Sequence, residues 1–160
     1  MTDRLRFATR ADTPAIFRVR YAVRDKTLPP GVIGDEDVRR EIEDSGRGWV
    51  VEIVSEPDSD ETPGEIVAFA IGNSLNGNIW ALFVHPDAEG RGHGRRSHDT
   101  MVGWLWAQGL QRLWLNTGPG TRAQRFYERN GWLHTGRTER GELRFELLQP
   151  ADIIPTEGPP

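Results

Sequence analysis

A glycine-rich segment is the part of this sequence whose residue types and spacing most clearly suit chemistry. Gly90, Gly92 and Gly94 stand at alternate positions within residues 84–95, directly before a predicted helix. Glycine at these positions lets the backbone approach a ligand closely and directs successive N–H groups into one concavity. The start of the following helix adds N–H groups without helical partners and the positive end of the helix dipole. The segment therefore predicts a binding site for a phosphate or pyrophosphate group.

The arginines of this segment strengthen the prediction of an anion site. Arg91, Arg95 and Arg96 lie within or just after the glycines, whereas Lys26 is the only lysine of the chain. A guanidinium group recognises phosphate through a fork of N–H donors. A tight turn with a purely structural role remains the alternative interpretation.

Two other kinds of phosphate loop fit the segment poorly. A Walker A loop requires the sequence Gly-Lys-Ser/Thr, and the segment has no lysine. A dinucleotide-binding Rossmann fingerprint requires an acidic residue about 20 residues further on, at the end of the next strand. Asn116 and Thr117 stand there instead. Both nucleotide-binding folds are therefore disfavoured.

A tyrosine on a second predicted helix is the other candidate for chemistry. Ala123, Phe126, Tyr127 and Asn130 follow one another at i, i+3, i+4 and i+7, so they share one face of the helix. This face is the one that turns inward. By itself, the pattern favours a core tyrosine whose hydroxyl is satisfied by a hydrogen bond.

The elements that must position these residues form one mixed α/β domain. The periodicities predict the order β-α-α-β-β-β-α-β-α-β-β. The apolar run Ile79–Val84, directly before the glycines, is typical of a central strand covered on both faces. Asn76-Gly77 predicts a tight hairpin turn that pairs this strand with residues 66–71 in antiparallel fashion. The domain is expected over residues 1–149, and residues 150–160, with four prolines, are expected to form an unordered tail.

The composition of the 160-residue, 18.1 kDa chain excludes several classes of function. There are no cysteines, so disulfides, thiol nucleophiles and thiolate metal sites are ruled out, and we expect no metal site. A net charge of −4 argues against a nucleic-acid partner. The charged N-terminal residues and the lack of an apolar run of about 18 residues predict a cytoplasmic protein without a membrane partner.

Two segments together resemble the GNAT superfamily of N-acetyltransferases. The first reads VHP at residues 84–86 and GRGHG at residues 90–94, similar to the acetyl-CoA loop of that family. The second reads AQRFYERNGW at residues 123–132, similar to the family's A-x-x-[LF]-Y-E-x-x-G-[FW] pattern. They stand about 30 residues apart in the family's order, and the resemblance extends from about Leu5 to Leu148.

The resemblance implies a fold and a reaction. It implies a mixed, mainly antiparallel central sheet flanked by about four helices, with a splayed central pair of strands. The implied reaction moves an acetyl group from acetyl-CoA to a primary amine, on a small molecule or a protein N-terminus, by direct attack on the thioester. Tyr127 takes the place of the family's general acid. The residues expected to bind the cofactor are Leu82, Phe83, Val84, Arg91, Gly92, His93, Gly94, Arg95, Arg96, Ala123 and Phe126.

The sequence departs from the family pattern at two positions. Glu89 stands where the family loop usually begins with glutamine or arginine. A carboxylate would repel a pyrophosphate, so we expect Glu89 to point to solvent. Gly120 stands where an asparagine is frequent, which removes one side-chain contact to the cofactor.

Several points stay open in the sequence. No general base is identifiable, because the strand Ile79–Val84 carries no carboxylate, and His98 shares its helix face with apolar residues, which predicts a core histidine. The acidic segment 35–44 either attracts a cationic acceptor or is a solvated helix face. A non-catalytic acyl-CoA sensor is the alternative to an enzyme, and the chain could be a monomer or a homodimer.

Overall fold

The helices and strands follow one another in the predicted order. The computed structural model describes residues 2–23, 33–54 and 64–150. The predicted helix break at residues 28–31 and the tail from residue 151 lie outside these ranges, as does the acidic loop predicted at 56–64 except for Gly64. The elements are β1 (Thr2–Phe7), α1 (Thr13–Ala22), α2 (Asp35–Arg39), β2 (Gly46–Val54), β3 (Glu65–Asn73), β4 (Ile79–Val84), α3 (His93–Ala107), β5 (Arg112–Thr117), α4 (Arg122–Arg129), β6 (Leu133–Arg137) and β7 (Leu143–Leu148).

Short turns complete these elements. A π-helical turn, Arg40–Asp44, continues α2, and 3₁₀ turns at Arg10–Asp12 and Pro86–Ala88 precede α1 and the glycine segment. In the ranges that the structure describes, every helix is too short or too polar to cross a lipid bilayer.

The strands form two antiparallel ladders that meet at one point. The first ladder has the order β1-β2-β3-β4 and the second the order β5-β7-β6. A single parallel bridge, Asn78 to Trp114, joins them within the described residues. There the Trp114 N–H donates to the Gly77 carbonyl at 3.0 Å, and Asn78 Nδ2 donates to the Trp114 carbonyl at 3.3 Å. The splayed central pair that the resemblance implied is thus β4 and β5.

The connection between β3 and β4 differs from the prediction. The two strands are antiparallel neighbours, as expected. The prediction of a tight two-residue turn at Asn76-Gly77 was wrong, because Gly77 has a positive φ of +79° and Asn76 does not. The side chain of Asn73 accepts hydrogen bonds from the N–H groups of Leu75 and Asn76 at 2.8 and 3.1 Å. This side-chain turn closes a longer loop and removes the need for an Asn-Gly turn.

Two apolar layers hold the helices against the sheet. One packs α3 and α4 on the second ladder and part of the first, around fully buried Met101, Leu105 and Phe145. The other packs α1 and α2 on the opposite face, around Val19 and Phe69. Because both layers contact β4, this strand is fixed where the two ladders part.

Candidate active site

A cleft of about 870 Å³ opens beside the end of β4. The size lies within the range of sites that bind small molecules and cofactors. Its walls are the end of β4, the glycine segment with the first turn of α3, and one face of α4. It is lined by Ala22, Val23, Leu82, Phe83, Val84, Pro86, Ala88, Glu89, Gly90, Gly92, His93, Gly94, Arg95, Arg122, Ala123, Arg125, Phe126, Tyr127 and Arg129.

The glycine segment turns the chain sharply into α3. Gly90 and Gly92 have φ angles of +79° and +85°, in the left-handed region that favours glycine. Gly92 is the N-cap of α3, and its carbonyl accepts the N–H of Arg96 at 3.0 Å. The N–H groups of His93 and Gly94 therefore precede the first helical hydrogen bond. They form the wall of the cleft that suits an anion.

His93 adds a buried polar atom to this wall. His93 is the first residue of α3 and is only 3% exposed. Nε2 is fully buried and has no hydrogen-bond partner among the described residues. Buried polar atoms are almost always paired, so an atom like this one calls for a bound molecule.

The edge of β4 presents main-chain groups to the cleft. The N–H of His85 donates to Val67 of β3 at 2.7 Å, and Phe83 pairs with Phe69 in the same register. Since N–H and C=O groups of successive residues alternate between the two edges of a strand, those of Leu82 and Val84 point away from β3. Their side chains are half-buried. The prediction that both faces of β4 are covered was therefore wrong for alternate residues, because these face the cleft.

Tyr127 lies at the inner end of the cleft. Helix α4 begins at the N-cap Thr121, whose hydroxyl accepts the N–H of Gln124 at 3.2 Å. The tyrosine is 6% exposed, and its ring contacts those of Phe126 and Trp132 at centroid distances of 5.3 and 5.4 Å. Burial raises the pKa of its hydroxyl well above the ordinary 10. The hydroxyl makes no hydrogen bond to any described residue, so the core tyrosine with an internal partner is not what the structure contains.

His98 packs against Tyr127 and is a core residue, as predicted. It is 4% exposed, and its ring contacts those of Phe126 and Tyr127. Trp132 Nε1 donates to His98 Nε2 at 3.0 Å, so Nε2 must carry a lone pair, and Nδ1 lies 2.9 Å from Asp99. Burial lowers the pKa of the imidazole. His98 is therefore neutral with its proton on Nδ1, and neither nitrogen is available to remove a proton from a substrate.

Of the three arginines predicted to bind the cofactor, only one lines the cleft. Arg95 lines the cleft, whereas Arg91 and Arg96 are not among its lining residues. Arg96 donates to Asp3 of β1 at 2.9 Å, on the other side of the glycine segment.

Three arginines of α4 line the cleft but were not predicted from the sequence. Arg122, Arg125 and Arg129 stand at i, i+3 and i+7, the spacing of one helix face. That spacing is the signal that could have found them.

Glu89 is exposed to solvent, as expected, but it also faces the cleft. It lines the cleft, and Arg122 donates a hydrogen bond to its carboxylate. The ion pair joins the glycine segment to the start of α4. It offsets the repulsion between the carboxylate and an anion in the cleft, which explains how an acidic residue is tolerated there.

Some carboxylates of the acidic segment 35–44 form ion pairs, and others line a second cavity. Arg39 contacts Glu36, Glu43 and Asp44 at 2.6, 3.4 and 3.0 Å, and these carboxylates belong to a surface network. The second cavity, of about 280 Å³, lies beside this network. It is lined by Ile33, Asp37, Arg40, Glu41 and Trp80.

Comparison with known proteins decides the family. The model of the acetyltransferase (GNAT) family matches residues 18–132. The chain belongs to the GNAT family. It is an acyl-CoA-dependent N-acetyltransferase. No curated protein matches the chain.

Solved structures of GNAT proteins share the fold. The ribosomal-protein-S18-alanine N-acetyltransferase of Escherichia coli superposes with a TM-score of 0.68 at 16% identity, over 91% of both chains. An N-acetyltransferase of Staphylococcus aureus gives 0.72 at 16% identity, over 92% of this chain and 99% of the other. A putative acetyltransferase of Salmonella typhimurium, solved with acetyl-CoA, gives 0.68 at 14% identity, over 100% and 98%.

Proposed function

We propose that this GNAT enzyme uses acetyl-CoA to acetylate a primary amine, of a small molecule or a protein N-terminus, by direct attack on the thioester. The observation that carries the proposal is the single cleft described above. It combines the N–H groups at the start of α3, the outward main-chain groups of β4 and the hydroxyl of Tyr127, which has no hydrogen-bond partner among the described residues.

The residues of the cleft fit the parts of the cosubstrate. The N–H groups before the first helical bond of α3 suit a pyrophosphate, and the imidazole of His93 offers a buried polar atom beside them. The outward N–H and C=O groups of Leu82 and Val84 suit the amide groups of the pantetheine arm. Ala123 and Phe126 supply the apolar wall opposite this strand.

Tyr127 holds a proton at the inner end of the cleft. Acetyl-CoA, when bound, would supply the acetyl group to the attacking amine, and coenzyme A would leave as a thiol. An ordinary thiol has a pKa near ~8.5, and burial puts that of Tyr127 well above 10. Complete transfer of the tyrosine proton to a thiolate is therefore uphill. Tyr127 acts chiefly by donating a hydrogen bond to the departing sulfur.

The second cavity supports an acceptor of positive charge. Asp37 and Glu41 stand four residues apart and line the cavity together with the indole of Trp80. Arg40 also lines it and contacts Asp37 at 3.6 Å, so one carboxylate is left to attract a cation. Trp80 lies where the pairing of β3 and β4 shifts, between Gly72 and Ile71, and such a bulge redirects a side chain. Because Trp80 is two residues before Leu82, this cavity and the cleft adjoin the same strand.

Replacement of Tyr127 by phenylalanine tests the mechanism. The ring and its aromatic contacts remain, and only the hydroxyl is lost. We expect kcat to fall roughly 10- to 100-fold while the Kd for acetyl-CoA stays almost unchanged, since general acids contribute about 10²–10⁴-fold and a thiolate is already a fair leaving group. Tyr21→Phe, which removes an exposed hydroxyl on α1, is the matched control and should keep full activity.

The assay should follow release of free thiol with polyamines, aminoglycosides, amino acids and peptide N-termini as acceptors. A Tyr127→Phe enzyme that turns over normally would remove Tyr127 from the mechanism. A wild-type protein that binds coenzyme A tightly but releases no thiol with any amine would favour the sensor instead.

A further inference from the structure

The second cavity contains a carboxylate that no cation of the described residues neutralises. Asp37 contacts Arg40 at 3.6 Å, and both residues line the cavity. Glu41 also lines it, and no basic side chain in the described ranges lies within ion-pair distance of its carboxylate. Its Oε1 accepts a hydrogen bond from Asn73 Nδ2 at 3.2 Å. The neutral amide of Asn73 therefore holds a negative charge in place beside the cavity.

An aromatic side chain lines the cavity together with this carboxylate. In β4, Ala81 and Ile79 pair with neighbouring residues of β3, so Trp80 between them is an extra residue of a bulge. The residue is half-buried and lines the cavity. Of the aromatic side chains, tryptophan attracts a cation most strongly. A carboxylate and an indole in one cavity suit an ammonium group.

The cavity lies beyond the reacting end of the cleft. Followed back along β4 from the glycine segment, Val84 and Leu82 line the cleft, and Trp80 lines the cavity. In the proposed function the pyrophosphate binds at the glycine segment and the arm of the cosubstrate follows Val84 and Leu82. The thioester then lies near Leu82. Two residues of a strand span about 7 Å, so a group bound beside Trp80 lies about that far from the reacting carbonyl.

The carboxylate of Glu41 does not suit the amine that reacts. An amine attacks a thioester only as the neutral base, whereas an ion pair with a carboxylate stabilises the protonated form. The cleft itself is lined by four arginines and one carboxylate, Glu89, which Arg122 contacts. The net positive charge of these residues disfavours a further ammonium group there. Glu41 therefore suits a cationic group of the acceptor other than the amine that is acetylated.

We propose that the acceptor is a diamine or a longer polyamine, whose second, protonated amine binds in the cavity of Glu41 and Trp80. The first amine, unprotonated, adds to the acetyl carbon: a C–N bond forms, the C–S bond breaks, the nitrogen loses one proton and the sulfur gains one. A separation of about 7 Å corresponds to about four or five methylene groups between the two amines. The inference rests on the proposed function and names its class of acceptor.

Kinetics with a series of linear α,ω-diamines test the proposal. Each diamine is compared, at low and constant ionic strength, with the monoamine in which a methyl group replaces one amino group, and release of thiol is followed at saturating acetyl-CoA. The ratio of the two kcat/KM values should be greatest at about four or five methylene groups. There it should favour the diamine at least roughly 10-fold, as expected for a hydrogen bond between charged groups.

The variant Glu41→Gln removes the charge but keeps an oxygen that can accept the hydrogen bond from Asn73. The ratio should fall to near one, chiefly through a higher KM for the diamine. Glu65→Gln is the matched control, because Glu65 is exposed and stands at the opposite end of β3 from Asn73. These two positions are about 26 Å apart along the strand. This control should keep the wild-type ratio.

The possible results separate this inference from the function on which it rests. A ratio near one at every chain length in the wild-type enzyme, or a ratio that survives in Glu41→Gln, would overturn the diamine assignment. Turnover of monoamines or peptide N-termini in that case would leave the proposed function standing. If the wild-type protein released thiol with no amine at all, both would fail. An unchanged thermal midpoint and Kd for acetyl-CoA in Glu41→Gln would show that a fall in the ratio comes from the cavity and not from misfolding.

Discussion

Replacement of Gly92 by alanine should separate the backbone requirement of the turn from its contribution to binding. Gly92 has a φ of +85° at the N-cap of α3, and no atom lies within 4 Å of an added Cβ. The substitution therefore meets no steric clash and acts through the backbone alone. A left-handed conformation costs an L-residue about 1–2 kcal/mol. For a domain of this size we expect the thermal midpoint to fall by roughly 2–8 °C.

The same substitution should weaken coenzyme A binding by more than this strain. If the turn relaxes, the N–H groups of His93 and Gly94 no longer point together into the cleft. Loss of one hydrogen bond to a charged group costs about 1.5–3 kcal/mol. The expected increase in Kd, measured by calorimetry, is roughly 10- to 100-fold.

Gly109 provides the matched control at the opposite end of α3. Its φ is +95°, and again no atom lies within 4 Å of an added Cβ. Gly109→Ala should lower the thermal midpoint by a similar amount and leave the Kd for coenzyme A unchanged. An unchanged Kd in Gly92→Ala, or an equal loss of affinity in Gly109→Ala, would refute the assignment of the turn as an anion site.

Three further predictions follow from the described geometry. Gly94→Ala should weaken coenzyme A binding without loss of stability, because its Cβ would contact neighbouring side chains at 3.4 and 3.7 Å and narrow the crevice; calorimetry with a melting curve tests both parts. Asp37→Asn/Glu41→Gln should raise the KM for a cationic amine at low salt while the KM for acetyl-CoA stays constant. If the variant and the wild-type enzyme had the same KM for the amine, both residues would belong to a solvated helix face. Burial lowers the pKa of His98 below 6.5, so the unfolded chain binds a proton that the folded protein excludes. The free energy of unfolding should therefore decrease as the pH falls below about 6.5, and denaturant titrations of His98→Gln should lack this contribution.

Much of the fold was predictable because its signals are local. Hydrophobic periodicity, N-caps and glycines fix where each element begins and ends, and these signals lie within a few residues of each other. The order of elements and the inward face of α4 were accordingly correct. The Asn-Gly turn failed because the side chain of Asn73 offers the backbone a competing set of hydrogen bonds.

The side-chain contacts that the sequence did not predict all join distant parts of the chain. Glu89 is exposed but also lines the cleft, where Arg122, 33 positions later, contacts it. Arg96 turns away because Asp3, at the start of the chain, accepts its hydrogen bond. The tautomer of His98 is set by the indole of Trp132 on a different element. No local pattern contains such pairs, which form only once the elements have packed.

The single bridge between the two ladders also bears on how the protein opens. The bridge between Asn78 and Trp114 is the only β-bridge between the two ladders in the described residues. We therefore expect β5, β7 and β6 to lose their amide protection as one cooperative unit while the first ladder stays closed. A ligand held by α3 on one side and α4 on the other ties these two units together. Amide hydrogen exchange in β5–β7 should then slow when coenzyme A binds, even at residues that never touch it.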